Sequence, residues 1–517
     1  MWSSTLLPSS PTNGTAWFVL IITLLFSQFI NAQTNVSGNV SGTWTVSGSP
    51  YVLTSSVIVP TGQTLTIQEG VEVQFPGTNS RINVQGTLLA NGTTSDSIRF
   101  TGTNSDPSIH GGYIQFSGSS TNSEVSYAVL EKLGDSSSTY TSSIMLQTSD
   151  VLIEKCRITD SEKFGIWLYS IGVSPTIRYN RIEQCGDYGI NSPNQFNAPI
   201  VTNNIFSNNP AGDVYSWVGS FNNCLNNEGN VLKIYGSLGS SNSVDTTALL
   251  PGNAFVNGGR FELVAQIIIS SGSRLTIGAG AEVRFSDANK YIQVSGTLRA
   301  IGTPTDSIRF IGSNPNPAIY GDKIYFKPQS SGIISHAVIE RLGNQYALQI
   351  ESSAVVIEKT RITDCKQYGI ILITAGISPV IRNNRIEQCG TYGIFNNSTG
   401  SKPMVTNNIF SNNTNGDIWS NPWALGGYSD NVGDVIHMTT ATINNDTTLL
   451  WSNHVFVDGG RFRLGSSVTI GSGSKLTIEA GVEVQFPSLN SRIEVQGTLK
   501  ALGSATDSIR FIGIDSN

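Results

Sequence analysis

The chain has 517 residues, of which 38% are hydrophobic and only 13% are charged. The hydrophobic share excludes a disordered chain, because enough apolar surface is available for burial. The charged share is about half of the usual value and disfavours a helix-rich protein, since surface helices are rich in Lys, Glu and Arg. The formal net charge of −6 provides no basic footprint for nucleic acid.

The N-terminus has the pattern of an export signal. An apolar run over residues 17–29 is too short to span a bilayer, and Asn31 and Ala32 form a small-residue cleavage site. We therefore predict a signal peptide over residues 1–32, a secreted or cell-surface location, and no membrane span after its removal. An N-terminal anchor is the alternative, because residues 2–16 contain no Lys or Arg.

Long internal repeats organise the remaining chain. The segment TLTI at residues 64–67 returns as RLTI at residues 274–277 and as KLTI at residues 475–478. The motif DSIRF recurs with the same offsets, 210 and 201 residues, starting at Asp96, Asp306 and Asp507. These offsets predict tandem duplication of one module. We assign unit 1 to residues 33–253, unit 2 to residues 254–454, and the start of a third unit to residues 455–517.

A shorter period of 24 residues lies inside each unit. The apolar residues on this period are Ile158, Ile182 and Phe206 in unit 1, with Ile362, Ile386 and Phe410 in unit 2. Neighbouring apolar residues alternate with polar ones, which is typical of strands, and no helical spacing is present. A 24-residue period built from short strands and turns predicts the coil of a parallel β-solenoid, with coils about 4.8 Å apart.

A column of asparagines accompanies this period. Each lies between two apolar positions of the pattern apolar-x-x-Asn-x-apolar, at Asn180 and Asn204 in unit 1 and at Asn384 and Asn408 in unit 2. Asn tolerates left-handed backbone conformations, which suits a sharp turn, and stacked amides can hydrogen-bond along the rod. A leucine-rich repeat shares part of this pattern. It is disfavoured because Pro175 and Gly172 occupy the preceding consensus leucine positions and no helical half follows.

The short strands, the Asn column and the G-T-L-x-A-x-G segments that start at Gly86 and Gly296 resemble the secreted bacterial right-handed parallel β-helix proteins of the pectate-lyase-like superfamily. The resemblance extends over nearly the whole chain after residue 40. It implies an all-β right-handed parallel β-helix. It implies no single function, since that superfamily includes lyases, hydrolases, phage tailspikes and non-catalytic surface proteins.

Catalytic motifs are scarce. Polygalacturonases of this fold carry Asp-Asp, Gly-His-Gly and Arg-x-Lys motifs, and this chain contains none of them. Asp160 and Asp364 share their columns with Gln and Asn and with no second carboxylate, whereas glycoside hydrolysis usually needs a pair. The four histidines, His110, His336, His437 and His454, do not recur between units, so we predict surface or turn positions for them.

The strongest candidate for a ligand site is a recurring group of Arg and carboxylate residues. Its members are Glu154, Arg157, Asp160, Arg178, Arg181 and Glu183 in unit 1, and Glu358, Arg361, Asp364, Arg382, Arg385 and Glu387 in unit 2. One interpretation is a set of exposed ion pairs between neighbouring coils. The other is a strip that binds an acidic glycan or supplies a lyase base. We predict no cofactor and no metal, because several convergent carboxylates would be needed for calcium.

Aromatic and sulfur-containing residues leave alternatives open. Phe164, Tyr188, Tyr368 and Tyr392 each precede a Gly-Ile pair, so they either project outward, where sugar rings could stack, or fill the core, the commoner case. Cys365 and Cys389 are 24 residues apart and share a column. This spacing allows a disulfide or a pair of stacked thiols.

We therefore predict a non-catalytic secreted or surface-displayed β-helix rod that is adhesin-like or glycan-binding, with a polysaccharide or cell-surface glycan as the expected partner. The alternatives are a polysaccharide lyase or glycoside hydrolase of this fold, and a periplasmic β-helix accessory protein. Unit 3 ends soon after Phe511, before its Asn-bearing coils. We therefore expect the natural reading frame to continue, and we expect this fragment to associate end to end through unpaired strand edges.

Overall fold

The computed structural model describes residues 33–135, 141–239, 246–249, 255–256, 258–439, 441–444, 447–450, 455–457, 459 and 461–514. The predicted signal peptide, residues 1–32, and His454 lie outside these residues. Every strand pair in the described chain is parallel, and the strands wind into about 18 turns of a β-solenoid. The predicted all-β class and the coil of about 24 residues are thus confirmed.

The strands follow one another at short intervals. Those before the predicted boundary of unit 1 are β1 (Thr34–Asn39), β2 (Gly42–Trp44), β3 (Tyr51–Val59), β4 (Thr64–Ile67), β5 (Glu72–Phe75), β6 (Arg81–Val84), β7 (Thr87–Asn91), β8 (Ile98–Gly102), β9 (Tyr113–Phe116), β10 (Ser123–Ser126), β11 (Ala128–Glu131), β12 (Ser142–Leu146), β13 (Val151–Glu154), β14 (Arg157–Thr159), β15 (Phe164–Leu168), β16 (Thr176–Arg178), β17 (Arg181–Glu183), β18 (Tyr188–Ser192), β19 (Ile200–Thr202), β20 (Ile205–Ser207), β21 (Gly212–Trp217), β22 (Cys224–Leu225), β23 (Val231–Leu238) and β24 (Thr246–Leu249).

The remaining strands are β25 (Arg260–Ile269), β26 (Arg274–Ile277), β27 (Glu282–Phe285), β28 (Ile292–Val294), β29 (Thr297–Ile301), β30 (Ile308–Gly312), β31 (Ile324–Phe326), β32 (Ser331–Ser335), β33 (Ala337–Glu340), β34 (Tyr346–Ile350), β35 (Val355–Glu358), β36 (Arg361–Cys365), β37 (Tyr368–Leu372), β38 (Val380–Arg382), β39 (Arg385–Cys389), β40 (Tyr392–Asn396), β41 (Met404–Thr406), β42 (Ile409–Ser411), β43 (Gly416–Ser420), β44 (Tyr428–Ser429), β45 (Val435–Met438), β46 (Ala441–Ile443), β47 (Thr447–Leu450), β48 (Arg461–Leu464), β49 (Ser467–Ile470), β50 (Lys475–Glu479), β51 (Glu483–Phe486), β52 (Arg492–Val495), β53 (Thr498–Leu502) and β54 (Arg510–Gly513). Short 3-10 helices occupy Val46–Gly48, Val218–Asn223 and Pro422–Gly427. None of the described helices has the length and hydrophobicity needed to span a bilayer.

Each coil contributes one strand to each of three ladders, which form the three faces of the rod. In unit 1 the first ladder runs through β4, β7, β10, β13, β16 and β19, the second through β5, β8, β11, β14, β17 and β20, and the third through β6, β9, β12, β15, β18 and β21. Unit 2 repeats this order, with β26, β27 and β28 opening its three ladders. The faces therefore carry equivalent residues in both units.

The core lies inside the coil and is built from stacked columns. In the second ladder, Phe100, Leu130, Ile158, Ile182 and Phe206 are register partners from strand to strand, and all are buried. Each inward side chain is thus covered by the coil before it and the coil after it. Alternating burial along the strands shows that strand periodicity determines the inward set.

The ladders do not run straight from one unit to the next. The third-ladder strand β21 pairs with the first half of β23, which continues through the first half of β25 to β27, the second-ladder strand of unit 2. The second halves of β23 and β25 lead to β28, the third-ladder strand of unit 2. The second junction repeats this connection through β43, β45, β48 and β51. At each junction the third ladder of one unit therefore continues as the second ladder of the next. We call this shift a turn of one face.

The last described coil exposes side chains that are buried in the earlier units. Phe511 is 49% exposed, whereas its equivalents Phe100 and Phe310 are fully buried. The predicted end-to-end association would act on this apolar surface, and it stays a prediction.

Asn204→Leu should destabilise the rod by about 1–3 kcal/mol, because Asn204 is fully buried and its amide bonds both neighbouring coils. Asn223→Leu, at an exposed position, should change stability much less. Urea unfolding of both variants measures the difference, and equal midpoint shifts would contradict the structural role of Asn204.

Candidate functional site

The Asn column occupies the turn between the first and second ladders. The side chain of Asn204 donates from Nδ2 to Asn227 Oδ1 and to the Ile177 carbonyl oxygen, each at 3.0 Å. Its Oδ1 accepts hydrogen bonds from the backbone and side-chain N–H groups of Asn180 at 2.9 and 3.0 Å. Unit 2 has the same chain of amides through Asn384, Asn408 and Asn431. The column thus supplies partners to buried backbone groups at a turn.

The left-handed residue of this turn is not the column residue itself. Tyr179 and Asn203, which precede Asn180 and Asn204, have φ values of 57° and 56°. Asn383 and Asn407 repeat this in unit 2. Our expectation that the column asparagines adopt the left-handed conformation was therefore wrong. Their amides bond along the rod while the neighbouring residue makes the bend.

Two arginines and one carboxylate form the charged row of the second ladder in unit 1. Arg157 and Arg181 are register partners, and their Nε atoms lie 2.8 and 2.7 Å from the two carboxylate oxygens of Glu183. The side chain of Glu183 is only 8% exposed, whereas both arginine side chains are about half exposed. Ser207 donates a further hydrogen bond to Glu183 at 3.2 Å. The row therefore presents guanidinium groups outward and holds its carboxylate underneath them.

Unit 2 reproduces this row. Arg361 and Arg385 bind the two oxygens of Glu387 at 2.7 and 2.5 Å, and Ser411 donates to the same carboxylate at 3.3 Å. Burial alone would raise the pKa of Glu387, but the hydrogen bonds from Arg361 and Arg385 outweigh it and lower the pKa. Glu183 has a lowered pKa for the same balance of causes. Such carboxylates are poor general bases because their lone pairs are already bound.

The other charged pair lies across the turn, on the first ladder. Arg178 Nε is 2.6 Å from Glu154 Oε2, and these residues are register partners on β16 and β13. In unit 2, Arg382 Nε donates to Glu358 at 2.9 Å. The predicted group is thus two separate sets of ion pairs on adjacent faces.

Asp160 and Asp364 belong to neither set. Asp160 Oδ1 lies 3.3 Å from His110 Nε2, and Glu162 Oε2 lies 2.7 Å from the other ring nitrogen of His110. In unit 2, Asp364 accepts a hydrogen bond from the Tyr320 hydroxyl at 2.9 Å. Glu162 could not be predicted from the sequence, because its partner His110 lies on a loop about 50 residues earlier and does not follow the 24-residue period.

A row of aromatic rings lies on the outer side of the third ladder. We define the unit 1 platform as Phe164, Trp167, Tyr188, Tyr215, Trp217 and Tyr235, and the unit 2 platform as Tyr346, Tyr368, Tyr392, Phe395 and Trp419. Ring centroids of Tyr215 lie 5.0 Å from those of both Tyr188 and Tyr235, and Tyr392 lies 5.4 Å from Trp419. Most of these rings are half-buried against one another, and none belongs to the central core except Trp217, which packs against its edge.

A glycine explains why Phe164 and Tyr188 face outward. A Cβ added to Gly165 would meet Ile182 at 2.9 Å and the Cys185 sulfur at 3.1 Å, so that position points into the core. The preceding ring is consequently placed outside. Phe164, Tyr188 and Tyr368 are half-buried outside the core, so outward projection describes them. Tyr392 is only 8% exposed.

The cysteines are free and buried. Cys365 and Cys389 are register partners on β36 and β39, and no disulfide joins them. Hydrogen bonding to Cys389, together with burial, raises the pKa of the Cys365 thiol. Burial raises the pKa of Cys156, Cys185 and Cys224 to about 12. Across the described ranges, no group of three or more His, Cys, Asp or Glu side chains could hold a metal ion.

The comparison with protein families agrees with this architecture. The family described as "Right handed beta helix region" matches residues 63–228 and 313–447. Among solved structures, a double mutant of the tailspike protein of E. coli bacteriophage HK620 in complex with a pentasaccharide has 12% identity and a TM-score of 0.18, covering 86% of this chain and 72% of the tailspike chain. A mutant of the same tailspike in complex with a hexasaccharide has 12% identity and a TM-score of 0.17, with coverages of 86% and 71%. Identity and TM-scores this low carry no information about function. A search of curated proteins gave no match.

The lowered pKa of Glu387 makes a prediction about acid stability. A carboxylate with a depressed folded-state pKa stabilises the protein above the unfolded-state value, about 4.3, and this contribution is lost as the pH falls through the folded-state value. Glu387→Gln should therefore destabilise the protein at neutral pH, and the difference from wild type should shrink below a pH of about 4. Urea midpoints across this range measure the effect, with Glu69→Gln, at an exposed turn, as the control. A difference that is independent of pH would contradict the charge pairing.

Proposed function

Because the chain belongs to the right-handed β-helix family, a fold that serves many functions, we propose its function from the site itself: a non-catalytic, exported rod that binds glycans. The observation that carries the proposal is the pair of aromatic platforms on the outer third ladder. Sugar rings have apolar C–H faces, and these pack on the exposed parts of the Tyr and Trp rings while the hydroxyl groups remain solvated.

The platforms are rigid before any ligand arrives. Tyr188, Tyr215 and Tyr235 stack on one another, and their backbone is fixed by the parallel ladder. Tyr235 also donates a hydrogen bond to the Pro193 carbonyl oxygen. A ligand that binds such a surface loses little side-chain entropy, which favours affinity. Two platforms on one chain also add avidity for a repetitive polymer.

Export is supported by the apolar run over residues 17–29, and the state of the cysteines is compatible with it. The five thiols are buried, and burial raises the pKa of Cys156, Cys185 and Cys224 to about 12. Buried thiols of this kind remain protonated and react slowly with oxidants. The rod can therefore function without disulfides on a cell surface or in the extracellular medium.

The enzymatic alternative, a lyase or glycoside hydrolase, would rest on Asp160 and Glu162. Both carboxylates contact the same imidazole ring, that of His110, which stands between them. This arrangement leaves no open position for a glycosidic bond between the carboxylates. Unit 2 carries Tyr320 and Lys366 in place of His110 and Glu162, so the cluster is not part of the repeated surface.

Removal of one aromatic ring from each platform should weaken glycan binding. Tyr188→Ala combined with Tyr368→Ala should reduce affinity for the best ligand of a glycan array about tenfold, because stacking contacts are lost on both platforms. Isothermal titration calorimetry measures the change. Tyr179→Asn is the matched control, since Tyr179 is 53% exposed on a different face and Asn occupies the equivalent turn position. Equal losses in both variants, or no glycan bound by wild type, would contradict the proposal.

The purified mature chain should release no reducing ends and no unsaturated products from pectin, alginate or glycosaminoglycans, with or without calcium. Asp160→Ala should therefore leave every assay at the background of wild type. Reproducible turnover that disappears in Asp160→Ala would favour the enzymatic alternative.

A further inference from the structure

The connection between units brings two different surfaces onto one face. The third ladder of unit 1, which carries its aromatic platform, continues as the second ladder of unit 2 through β23 and β25. Register partners along this face are Tyr215, Lys233, Glu262 and Arg284, one on each successive strand. The platform of unit 1 is thus followed, at strand spacings of about 4.8 Å, by the charged residues Lys233, Glu262 and Arg284. The charged row of unit 2 lies further along the same ladder, on β36 and β39.

A second column of outward residues, beside the column that contains Lys233 and Arg284, is rich in arginine. Its register partners are Arg260, Glu282, Arg309, Val338, Arg361 and Arg385. Arg309, Arg361 and Arg385 are each about half exposed. Arg309 lies 3.1 Å from Glu282 and 3.7 Å from Glu340, and its half-exposed guanidinium has five N–H donors, so some of them still face solvent.

The charge on this face is opposite to that of the whole protein. From β23 to β39 the strands of this face carry the cations Lys233, Arg260, Arg284, Arg309, Arg361 and Arg385, and the anions Glu262, Glu282, Glu340, Asp364 and Glu387. Cations are in excess here, whereas the chain has a net charge of −6. A surface with this local excess attracts anionic ligands at low salt.

The second junction repeats the arrangement. Trp419 of the unit 2 platform is followed by His437 and then by Arg463 as register partners. Burial lowers the pKa of His437 to about 4, with Arg463 adding to the effect, so the ring is neutral and extends the aromatic surface. Arg510 then occupies the position equivalent to Arg309 and contacts Glu483 at 2.9 Å.

The charged row of unit 1 does not continue from an aromatic platform. Its arginine column begins with Glu72 and continues through Arg99 and Val129 to Arg157 and Arg181. The neighbouring outward column begins with Val52 and Gln74. In the part of the chain that the structure describes, no aromatic platform precedes these residues on their ladder. Arg99 nevertheless matches Arg309 in exposure, 50% against 49%, and in having a glutamate partner.

We infer, on the basis of the proposed glycan-binding function, that the binding site for an acidic polysaccharide is the composite face that crosses each junction. Uronic acid rings stack on the platform of one unit, and the carboxylates of the same polymer bind the arginines of the next unit. Because successive units are turned by one face, the two composite faces bind separate polymer segments.

Arg99, Arg309 and Arg510 occupy the same position of the repeated DSIRF motif but differ in context, so the test compares them. Arg157 is added to Arg99 so that both variants lose two charges. Arg309→Gln with Arg510→Gln removes one charge from each composite face, whereas Arg99→Gln with Arg157→Gln removes two charges from the row without a platform. The probes are polygalacturonate, alginate and hyaluronate, with neutral dextran as a reference, titrated at low and high salt. Thermal melting of each double variant checks that the fold is retained.

We expect Arg309→Gln with Arg510→Gln to weaken binding of the acidic probe about tenfold and to reduce its salt dependence. The control pair should change affinity less than about twofold. Equal losses in both pairs, or no loss in either, would overturn the composite face while leaving platform binding intact. Binding of neutral glycans alone would also overturn it, and absence of any glycan binding would overturn the proposed function as well.

Discussion

The structure depends on in-register stacking of each coil on the coil before it. Inward residues such as Ile158 and Ile182 are buried only because neighbouring strands hold them in one column. The same stacking would leave backbone groups unsatisfied at the sharp turn between the first and second ladders. The asparagine amides remove this cost, since Asn204 bonds the coils on both sides of it. Once the coils are fixed, every outward side chain also lies in a column, and the faces become rigid surfaces.

Much of this architecture could be predicted from the sequence because the signals are local and periodic. The 24-residue period predicted the length of the coil. Cys365 and Cys389, which are 24 residues apart, are register partners as this period requires. The spacing also placed Arg157 beside Arg181. Asn227 and Asn431 were missed because they follow Asn204 and Asn408 after 23 residues and so depart from the 24-residue period.

The remaining features depend on tertiary structure that no local pattern reveals. The outward position of Phe164 follows from Gly165, whose Cα faces Ile182 and Cys185 in the core. The contact of Asp160 with His110 needs a loop from an earlier coil. Similarly, the turn of one face between units cannot be predicted from the repeated sequence. Equivalent residues follow in the same order whether the third ladder of one unit continues into the second or into the third ladder of the next. That turn decides which platform and which arginines share a face.

Disulfide trapping across the first junction tests this connection most directly. Lys233 and Glu262 are register partners, so Lys233→Cys with Glu262→Cys should place two Cα atoms within the range of a disulfide and cross-link efficiently on oxidation. If the third ladder instead ran straight into the third ladder of unit 2, β23 would place Lys233 beside Ile268. Cross-linking of Lys233→Cys with Glu262→Cys, and not of Lys233→Cys with Ile268→Cys, is the predicted result. The reverse pattern would contradict the turn between units and with it the composite faces.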